Sequence, residues 1–256
     1  MSKRKRVYII ITAVFLTIVF STAAFSQEAR KVPENLAVEE VEEIFNSARY
    51  QANISRDKNL GVLAGEVSYI PEDTISLGFA AKSEEAKNFI IGALYSEALA
   101  FLRGGNLELA AKRLESMAQE FINLNAPGSL YNYTSYIINL MQTKRHTPEV
   151  ILEFLSLFQP FYEDYSKSTG KDRLILFRAG SWLVDMSLTA AAGDKLMLKQ
   201  PGTLAYFIKE MKRMDAPKGV IDSLDEIAKI AEKKDITDKD IKQILKRVKK
   251  IQTLLG

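Results

Sequence analysis

Apolar residues recur at intervals of three and four along most of this chain, the spacing that places them on one face of an α-helix. The pattern is most regular over 241–255, where Thr237 is suited to cap the helix and Asp240 to lie at the positive end of its dipole. A second apolar stripe covers 220–231. The short connection at 233–235 predicts that the two helices form an antiparallel hairpin.

A second predicted hairpin joins helices at 83–102 and 106–121. Ser83 opens the first helix, Gly104-Gly105 ends it, and Asn106 is suited to cap the next one. The same spacing predicts further helices over 36–54, 129–143, 148–165, 171–192 and 201–213.

The stretch 58–70 has two interpretations. Its apolar residues keep helical spacing, whereas 62–69 would also fit a weak strand, and two glycines weaken both. We favour a helix that continues to Ile70 and ends before Pro71. The chain is therefore predicted to be all-α, with residues 27–256 forming a single domain of stacked antiparallel helical hairpins, arranged as a bundle or a short array.

The first 26 residues are organised differently and predict an N-terminal signal helix. A basic cluster at 3–6 precedes an apolar run at 7–20 and small residues at 21–26, an order typical of a secretory signal peptide. The alternative is an uncleaved membrane anchor over 7–24, roughly 27 Å long as a helix and slightly short of a bilayer core of about 30 Å. Both interpretations export the remainder to the periplasm or the extracellular space, with membrane contact expected only through an uncleaved N-terminus.

Charge and composition exclude several classes of function. The whole chain has a formal net charge of +3, but residues 1–26 contain four basic and no acidic residues. Their removal leaves 31 basic against 32 acidic residues, a net charge of −1, which is no argument for binding nucleic acid. The absence of cysteine excludes disulfides, thiolate zinc sites, thiol nucleophiles and a lipid-modified cysteine.

Two acidic residues interrupt otherwise apolar predicted helices, Glu97 within the first hairpin and Asp185 within 171–192. If both are buried and adjacent, they form a carboxylate pair in which one pKa is raised, an arrangement suited to general acid–base chemistry. The structural alternative is that each lies at an exposed edge or pairs with Arg103 or Arg178, because an unpaired buried charge is costly. We favour the structural alternative.

The helix over 171–192 is apolar around nearly its whole circumference, which is typical of a central, buried helix. Gly180 and Ser181 would let a neighbouring backbone approach closely, while the indole of Trp182 fills the space beside them. Trp182 is therefore interpreted as a core anchor rather than as part of a ligand pocket.

The single histidine, His146, has no partner residues at metal-ligand or triad spacing and is predicted to lie in a solvated turn. The three aspartates at 235, 238 and 240 lack the glycine and glutamate of a calcium-binding loop and fit a helix start instead. We therefore predict no catalytic, cofactor-binding or metal-binding residues.

Two surface features remain open. Six aromatic residues, at 131, 133, 136, 161, 162 and 165, would either line a groove or be half-buried in ordinary helix packing. The C-terminal helix has basic residues opposite its apolar stripe, and the segment 229–256 contains nine basic and four acidic residues. A solvated face is the default interpretation, and contacts to anionic lipid or to an acidic partner are the alternatives.

Residues 94–117 resemble a single tetratricopeptide (TPR) repeat, a helical hairpin in which small residues let the two helices approach. The matching positions are Leu94, Ala98, Phe101, Gly105, Ala110 and Leu114. Met117 replaces the usual alanine, and the pattern does not recur 34 residues downstream. The resemblance implies a TPR-like hairpin architecture and, by analogy, peptide or protein binding.

Two short segments, Asn59-Leu60-Gly61-Val62 with Tyr69 and Ala179-Gly180-Ser181-Trp182-Leu183, resemble a group of uncharacterised bacterial exported helical proteins. In that group they lie in the same order, between an export signal and a C-terminal helical hairpin. The resemblance implies a fold and a compartment but no activity.

The sequence as a whole predicts an exported, non-enzymatic helical protein of the cell envelope that binds or scaffolds another protein or peptide. The alternative is a helical carrier of a small apolar or lipidic ligand, with Glu97 and Asp185 as polar groups in an apolar pocket. An enzyme ranks third, because no catalytic set is recognisable.

The first testable prediction concerns processing. Protein isolated from the native host is expected to begin between Phe25 and Glu28, because the small residues that precede these positions suit signal peptidase. N-terminal sequencing and intact mass measure this directly. A mass that matches the full chain would instead establish the anchor.

Overall fold

The computed structural model describes residues 60–68 and 83–256, and within these ranges the secondary structure is helical, with no strand. The predicted all-α class is confirmed. The helices are α1 (Leu60–Val67), α2 (Glu84–Arg103), α3 (Leu107–Asn123), α4 (Gly128–Thr143), α5 (Pro148–Ser156), α6 (Phe158–Thr169), α7 (Lys171–Ala191), α8 (Pro201–Arg213), α9 (Lys218–Ala231) and α10 (Asp238–Leu255).

The predicted helix starts are formed by side-chain caps. The Ser83 hydroxyl accepts from the Ala86 amide at 3.0 Å, and the Asn106 carbonyl accepts from the Leu109 amide at 3.0 Å. At α10, Thr237 and Asp240 form a reciprocal capping box, in which each side chain accepts from the other residue's backbone amide. These caps satisfy amides that a helix leaves without internal partners.

The predicted helix 148–165 is wrong as a single element. It divides into α5 and α6 at Leu157. Pro160 explains the interruption, because proline has no amide to donate to the carbonyl of Ser156 and its ring collides with that carbonyl. Pro217 directly precedes α9 as its N-cap residue.

Within the ambiguous stretch 58–70, the described residues form the helix α1 and not a strand. The predicted end at Ile70 lies outside the described residues, as do the helix 36–54 and the signal segment 1–26.

Contacts along α2 and α3 show that these helices run antiparallel. Near the open end the Lys87 ammonium donates to the Asn123 carbonyl at 3.0 Å, and nearer the turn Arg113 pairs with Glu97. Gly105 makes the turn with a φ of 80°. The six positions that resemble a tetratricopeptide repeat therefore lie in a real hairpin, five of them buried and Gly105 in the turn.

The helices α9 and α10 also run antiparallel. Lys233 donates to Asp240 at 2.5 Å close to the connection, Arg247 pairs with Glu226 farther along, and Gly219 lies against Leu254 at the far end. The apolar stripe of α10 is buried, and Ile244, Val248 and Ile251 have no exposed surface. This hairpin packs on α7 as well as on α8.

The most extensive helix contact joins α2 to α7, which are far apart in sequence. The two helices run parallel, because Glu84 meets Arg173, Phe89 meets Gly180 and Ser96 meets Asp185 in the same order. A β-carbon at Gly180 would overlap the Phe89 carbonyl, and one at Gly92 would overlap the Phe177 carbonyl. The close approach predicted at Gly180 is thus made by two glycines, one on each helix.

The buried side chains of all the described helices form one connected apolar cluster. Among the described residues, α7 is the one helix whose length and composition would let it cross a membrane, over Asp172–Ala191. In this protein 83% of that window is buried. Its apolar circumference is therefore covered by neighbouring helices, as expected for a central helix.

The second prediction tests the glycine contact. Gly180→Ala is expected to destabilise the protein by about 3 kcal/mol, the upper end of the usual overpacking range, because the added methyl group meets backbone that cannot rotate away. Urea unfolding measures the change.

Gly65→Ala is the matched control, since its β-carbon meets nothing within 4 Å. It should stabilise α1 by about 0.5–1 kcal/mol through helix propensity. Equal effects at the two glycines would contradict the close crossing.

Candidate functional site

A buried ion pair connects α2 with α3. Glu97 and Arg113 are 1% and 2% exposed, and the Arg113 Nε donates to the Glu97 Oε2 at 2.5 Å. The Ser68 hydroxyl donates to the same carboxylate oxygen at 3.0 Å and accepts from the Arg113 Nη2 at 2.9 Å. The Arg113 guanidinium also lies over the Phe101 ring, 5.1 Å from its centroid.

The negative charge of Glu97 is thus paired with the positive charge of Arg113 inside the protein. Because Ser68 directly follows α1, its hydroxyl also ties the end of that helix to the α2–α3 hairpin. A carboxylate already engaged by a guanidinium and a hydroxyl is poorly placed to take a proton from a substrate. The arrangement therefore supports a structural role for Glu97.

Asp185 has a different environment. The Ser96 hydroxyl donates to its Oδ1 at 2.5 Å, across the contact between α2 and α7. Burial raises the pKa of Asp185 to about 7, although the Ser96 hydrogen bond and the charge of Arg103 act in the opposite direction. Burial in turn lowers the pKa of Arg103, against the attraction of Asp185. Asp185 nevertheless keeps partial contact with solvent.

The two acidic candidates therefore have separate partners. Glu97 is directed to Ser68 and Arg113, whereas Asp185 is directed to Ser96. Of the two arginines proposed as partners from the sequence, Arg103 acts on Asp185 through its charge, and Arg178 instead donates to Glu163 at 3.2 Å.

The sequence interpretation missed Arg113 as the partner of Glu97. The sequence did indicate that Arg113 is buried, because it is three residues after Ala110 and four before Met117, within the apolar stripe of α3. A charged residue at such a position requires a buried partner.

Trp182 lies in the core, 1% exposed. Its indole Nε1 donates to the Gln200 Oε1 at 2.9 Å, and its ring centroid is 4.9 Å from that of Phe207. The Gln200 amide nitrogen donates onward to the Met197 carbonyl at 2.7 Å. Trp182 thus joins α7 to the segment before α8, and its polar atom has a protein partner.

The remaining polar candidates are accounted for by local structure. His146 is exposed in the connection between α4 and α5. Asp240 caps α10, and Asp238 pairs with Lys195 at 2.9 Å. Within the described part of the chain, no three acidic or histidine side chains are grouped to hold a metal ion.

Two groups of aromatic residues are distinct. One is a buried cluster in which Tyr162 has no exposed surface and its ring centroid is 4.5 Å from that of Phe177. The Tyr162 hydroxyl donates to the buried Asn88 Oδ1 at 2.5 Å. Tyr95, Phe121 and Phe158 belong to the same cluster. The middle of the molecule is therefore filled by its own rings.

The other group forms an apolar area on α4, α5, α6 and the junction of the last two. We call it the aromatic surface and define it as Tyr133, Tyr136, Phe154, Leu157 and Phe161. Tyr136, Leu157 and Phe161 are 48%, 59% and 40% exposed. The Tyr133 ring packs on Phe161 in a tilted arrangement with 5.8 Å between centroids, and its hydroxyl donates to the Phe154 carbonyl at 2.7 Å. Tyr136 meets the edge of Phe154 at 5.7 Å.

The sequence indicated only part of this surface. It identified Tyr133, Tyr136 and Phe161 but not Phe154 and Leu157, because a single helix over 148–165 would have placed the latter two differently. Leu157 is exposed at the helix break that Pro160 imposes.

A polar cleft of about 340 Å³ lies where α2 and α7 begin and α6 ends. Its lining includes the buried Asn88 and the exposed Glu85, and an ion pair between Glu84 and Arg173 spans it. Glu97, Asp185 and Trp182 do not contribute to this lining.

Comparison with known proteins adds no relative: no family model matches the chain, and neither a curated protein nor a solved structure is significantly similar to it. Functional inference therefore depends on the geometry of the chain's own residues.

The third prediction concerns Asp185. Because its pKa is higher in the folded protein than the ordinary aspartate value of 3.8, its contribution to stability is fully present below about pH 4 and is lost as the pH rises through about 7. Asp185→Asn removes this loss. The variant is expected to gain stability relative to the wild type between pH 4 and pH 8, measured by urea unfolding across that range. Asp222→Asn, at an exposed position on α9, controls for the removal of one negative charge. A constant difference between Asp185→Asn and the wild type would contradict the prediction.

Proposed function

We propose that the protein is an exported, non-enzymatic binding protein of the cell envelope, and that it recognises another protein or a peptide through the aromatic surface. The proposal depends mainly on the exposure of Tyr136, Leu157 and Phe161. Tyr136 and Phe161 are connected through the contacts that Tyr133 and Phe154 make with each other and with them, and Leu157 follows Phe154 by three residues. Large apolar groups that adjoin on a surface mark interaction sites, whereas isolated ones are ordinary.

The chemistry of these residues suits protein recognition. Tyrosine and phenylalanine are enriched in the cores of protein interfaces, where they bury much area and have few rotatable bonds to immobilise. On this surface the ring of Tyr133 is fixed by its hydrogen bond to Phe154 and its contact with Phe161. A surface that is already ordered loses less entropy when a partner binds.

The contacts of the buried polar groups support the proposal that the protein is not an enzyme. Glu97 is held by Arg113 and Ser68, and the Trp182 indole by Gln200. These contacts are of the kind that stabilise packing. The carrier alternative receives no comparable support, because the aromatic centre packs on itself around Tyr162 and Phe177.

The proposed architecture beneath this surface is a stack of antiparallel hairpins, similar to a short TPR-like array. The hairpins α2–α3 and α9–α10 support it, and the parallel pair α2–α7 is a departure from a regular array. Such a stack would present the aromatic surface on a rigid support.

The proposed location is the periplasm or the extracellular space, with a membrane anchor at 7–24 as the alternative. It depends on the order of basic, apolar and small residues within 1–26. A binding partner is accordingly expected among envelope or secreted proteins.

The fourth prediction tests the aromatic surface in the native host. A photo-crosslinking phenylalanine analogue at position 136 is expected to give one discrete covalent adduct with another protein, identified by mass spectrometry. Position 131 is the matched control, because Tyr131 is on the same helix with a similar exposure of 40% but lies outside the aromatic surface. It should give no such adduct.

A second experiment checks that the adduct depends on this surface. With the analogue at position 157, the same adduct should form in the wild type and disappear in Tyr136→Ala/Phe161→Ala. These side chains are exposed, so the protein should fold normally, as circular dichroism would show. Equal adducts at 131 and 136, or none at either, would contradict protein binding here. An adduct with a lipid alone would favour the carrier.

A further inference from the structure

We propose that the C-terminal helix α10 docks the protein electrostatically on an anionic lipid surface. The contact would be made by its basic face, defined as Lys239, Lys242, Lys246, Lys249 and Lys250. All five lysines are exposed. This surface is distinct from the aromatic surface, and the inference does not depend on the proposed function.

The positive charge of the basic face is not neutralised by its surroundings. From Ile241 to Gly256 the sequence has five basic residues and no acidic residue. Arg247 pairs with Glu226, but within the described part of the chain Lys242, Lys246, Lys249 and Lys250 take part in no ion pair.

The two carboxylates at the start of α10 have other cationic partners. Asp238 pairs with Lys195 at 2.9 Å, and Asp240 pairs with Lys233 at 2.5 Å. Lys242, one turn after Asp238, adds its attraction to that carboxylate. Beyond that turn the face is uniformly positive.

The orientation of the helix fixes this charge outward. Ile244, Val248 and Ile251 are completely buried, so α10 cannot rotate without exposing its stripe. The buried stripe also excludes insertion of the helix into the acyl region, which is how an amphipathic interfacial helix binds. Contact with lipid would therefore involve head groups, with Leu254, 41% exposed one turn beyond Lys250, as the one apolar side chain at the edge.

The chemistry of the face favours a lipid surface over a protein. Lysine is depleted in protein interfaces, which require an apolar or aromatic anchor at their centre. No aromatic residue is present in α10. The lysines extend over roughly 16 Å of helix at about 1.5 Å per residue, which provides charge without a shaped recess. An anionic bilayer requires only charge near its surface, and each lysine strengthens partition roughly fivefold.

The experiment is vesicle flotation with protein purified from its own host. Phosphatidylglycerol mixed with phosphatidylcholine is compared with phosphatidylcholine alone. Because an uncleaved N-terminal segment would bind both, the difference between the two compositions is the quantity measured. The wild type is expected to partition more strongly into the anionic vesicles, and added salt should remove the difference by screening.

The variant Lys242→Gln/Lys246→Gln/Lys249→Gln should weaken partition into anionic vesicles by about 100-fold, from roughly fivefold for each of three lysines. The control variant Lys144→Gln/Lys209→Gln/Lys212→Gln removes the same charge from exposed positions outside α10 and should retain binding. Urea unfolding should show both variants folded, because all six lysines are exposed.

Three results would overturn the proposal. One is equal partition of the wild type into neutral and anionic vesicles, and another is an equal loss in the two triple variants. The third is binding to soluble polyglutamate without flotation, which would identify an acidic protein as the partner. Crosslinking at position 136 reports on the aromatic surface separately, so a failure of one proposal is distinguishable from a failure of the other.

Discussion

The contact between α2 and α7 is the constraint on which the rest of this structure depends. Gly92 and Gly180 let the two backbones meet with no side chain between them, so substitution at either position forces the helices apart. Both helices are buried over most of their length, and α1, α3, α5, α6 and α10 pack directly on one or both of them. The α2–α3 hairpin extends from one side of the crossing, and the α9–α10 hairpin packs on α7.

The close crossing of α2 and α7 also explains the partners of the polar groups near it. Close helices leave little room for water, so Asp185 finds a partner in Ser96 on the facing helix and its pKa rises. Glu97, one residue after Ser96, is directed to another side of α2 and meets Arg113 and Ser68. Adjacent residues on one helix thus belong to separate networks, and both networks connect helices.

The two proposed contact surfaces differ in chemistry, and each is suited to a different kind of partner. The aromatic surface has ordered rings with little charge among its members, which suits shape-specific recognition of a protein. The basic face has flexible lysines with no apolar centre, which suits a charged but featureless lipid surface. A protein with both would hold a partner close to a membrane, and each contact would respond differently to salt, since screening weakens charge and not apolar burial.

Within the described part of the chain, the sequence by itself determined which segments are helical, because apolar spacing, caps at Ser83, Asn106 and Thr237, and glycine turns are local properties. It also determined that Trp182 is in a central helix. Apolar spacing did not reveal the break at Leu157. The helical spacing continues through this position, whereas the break is caused by Pro160, which disrupts the turn that precedes it. Only the tertiary structure decided that α2 pairs in parallel with α7, that Glu97 meets Arg113, and that Phe154 and Leu157 join the aromatic surface. Helical spacing states which face of a helix is apolar, but the partner of that face depends on how distant helices fit together in space.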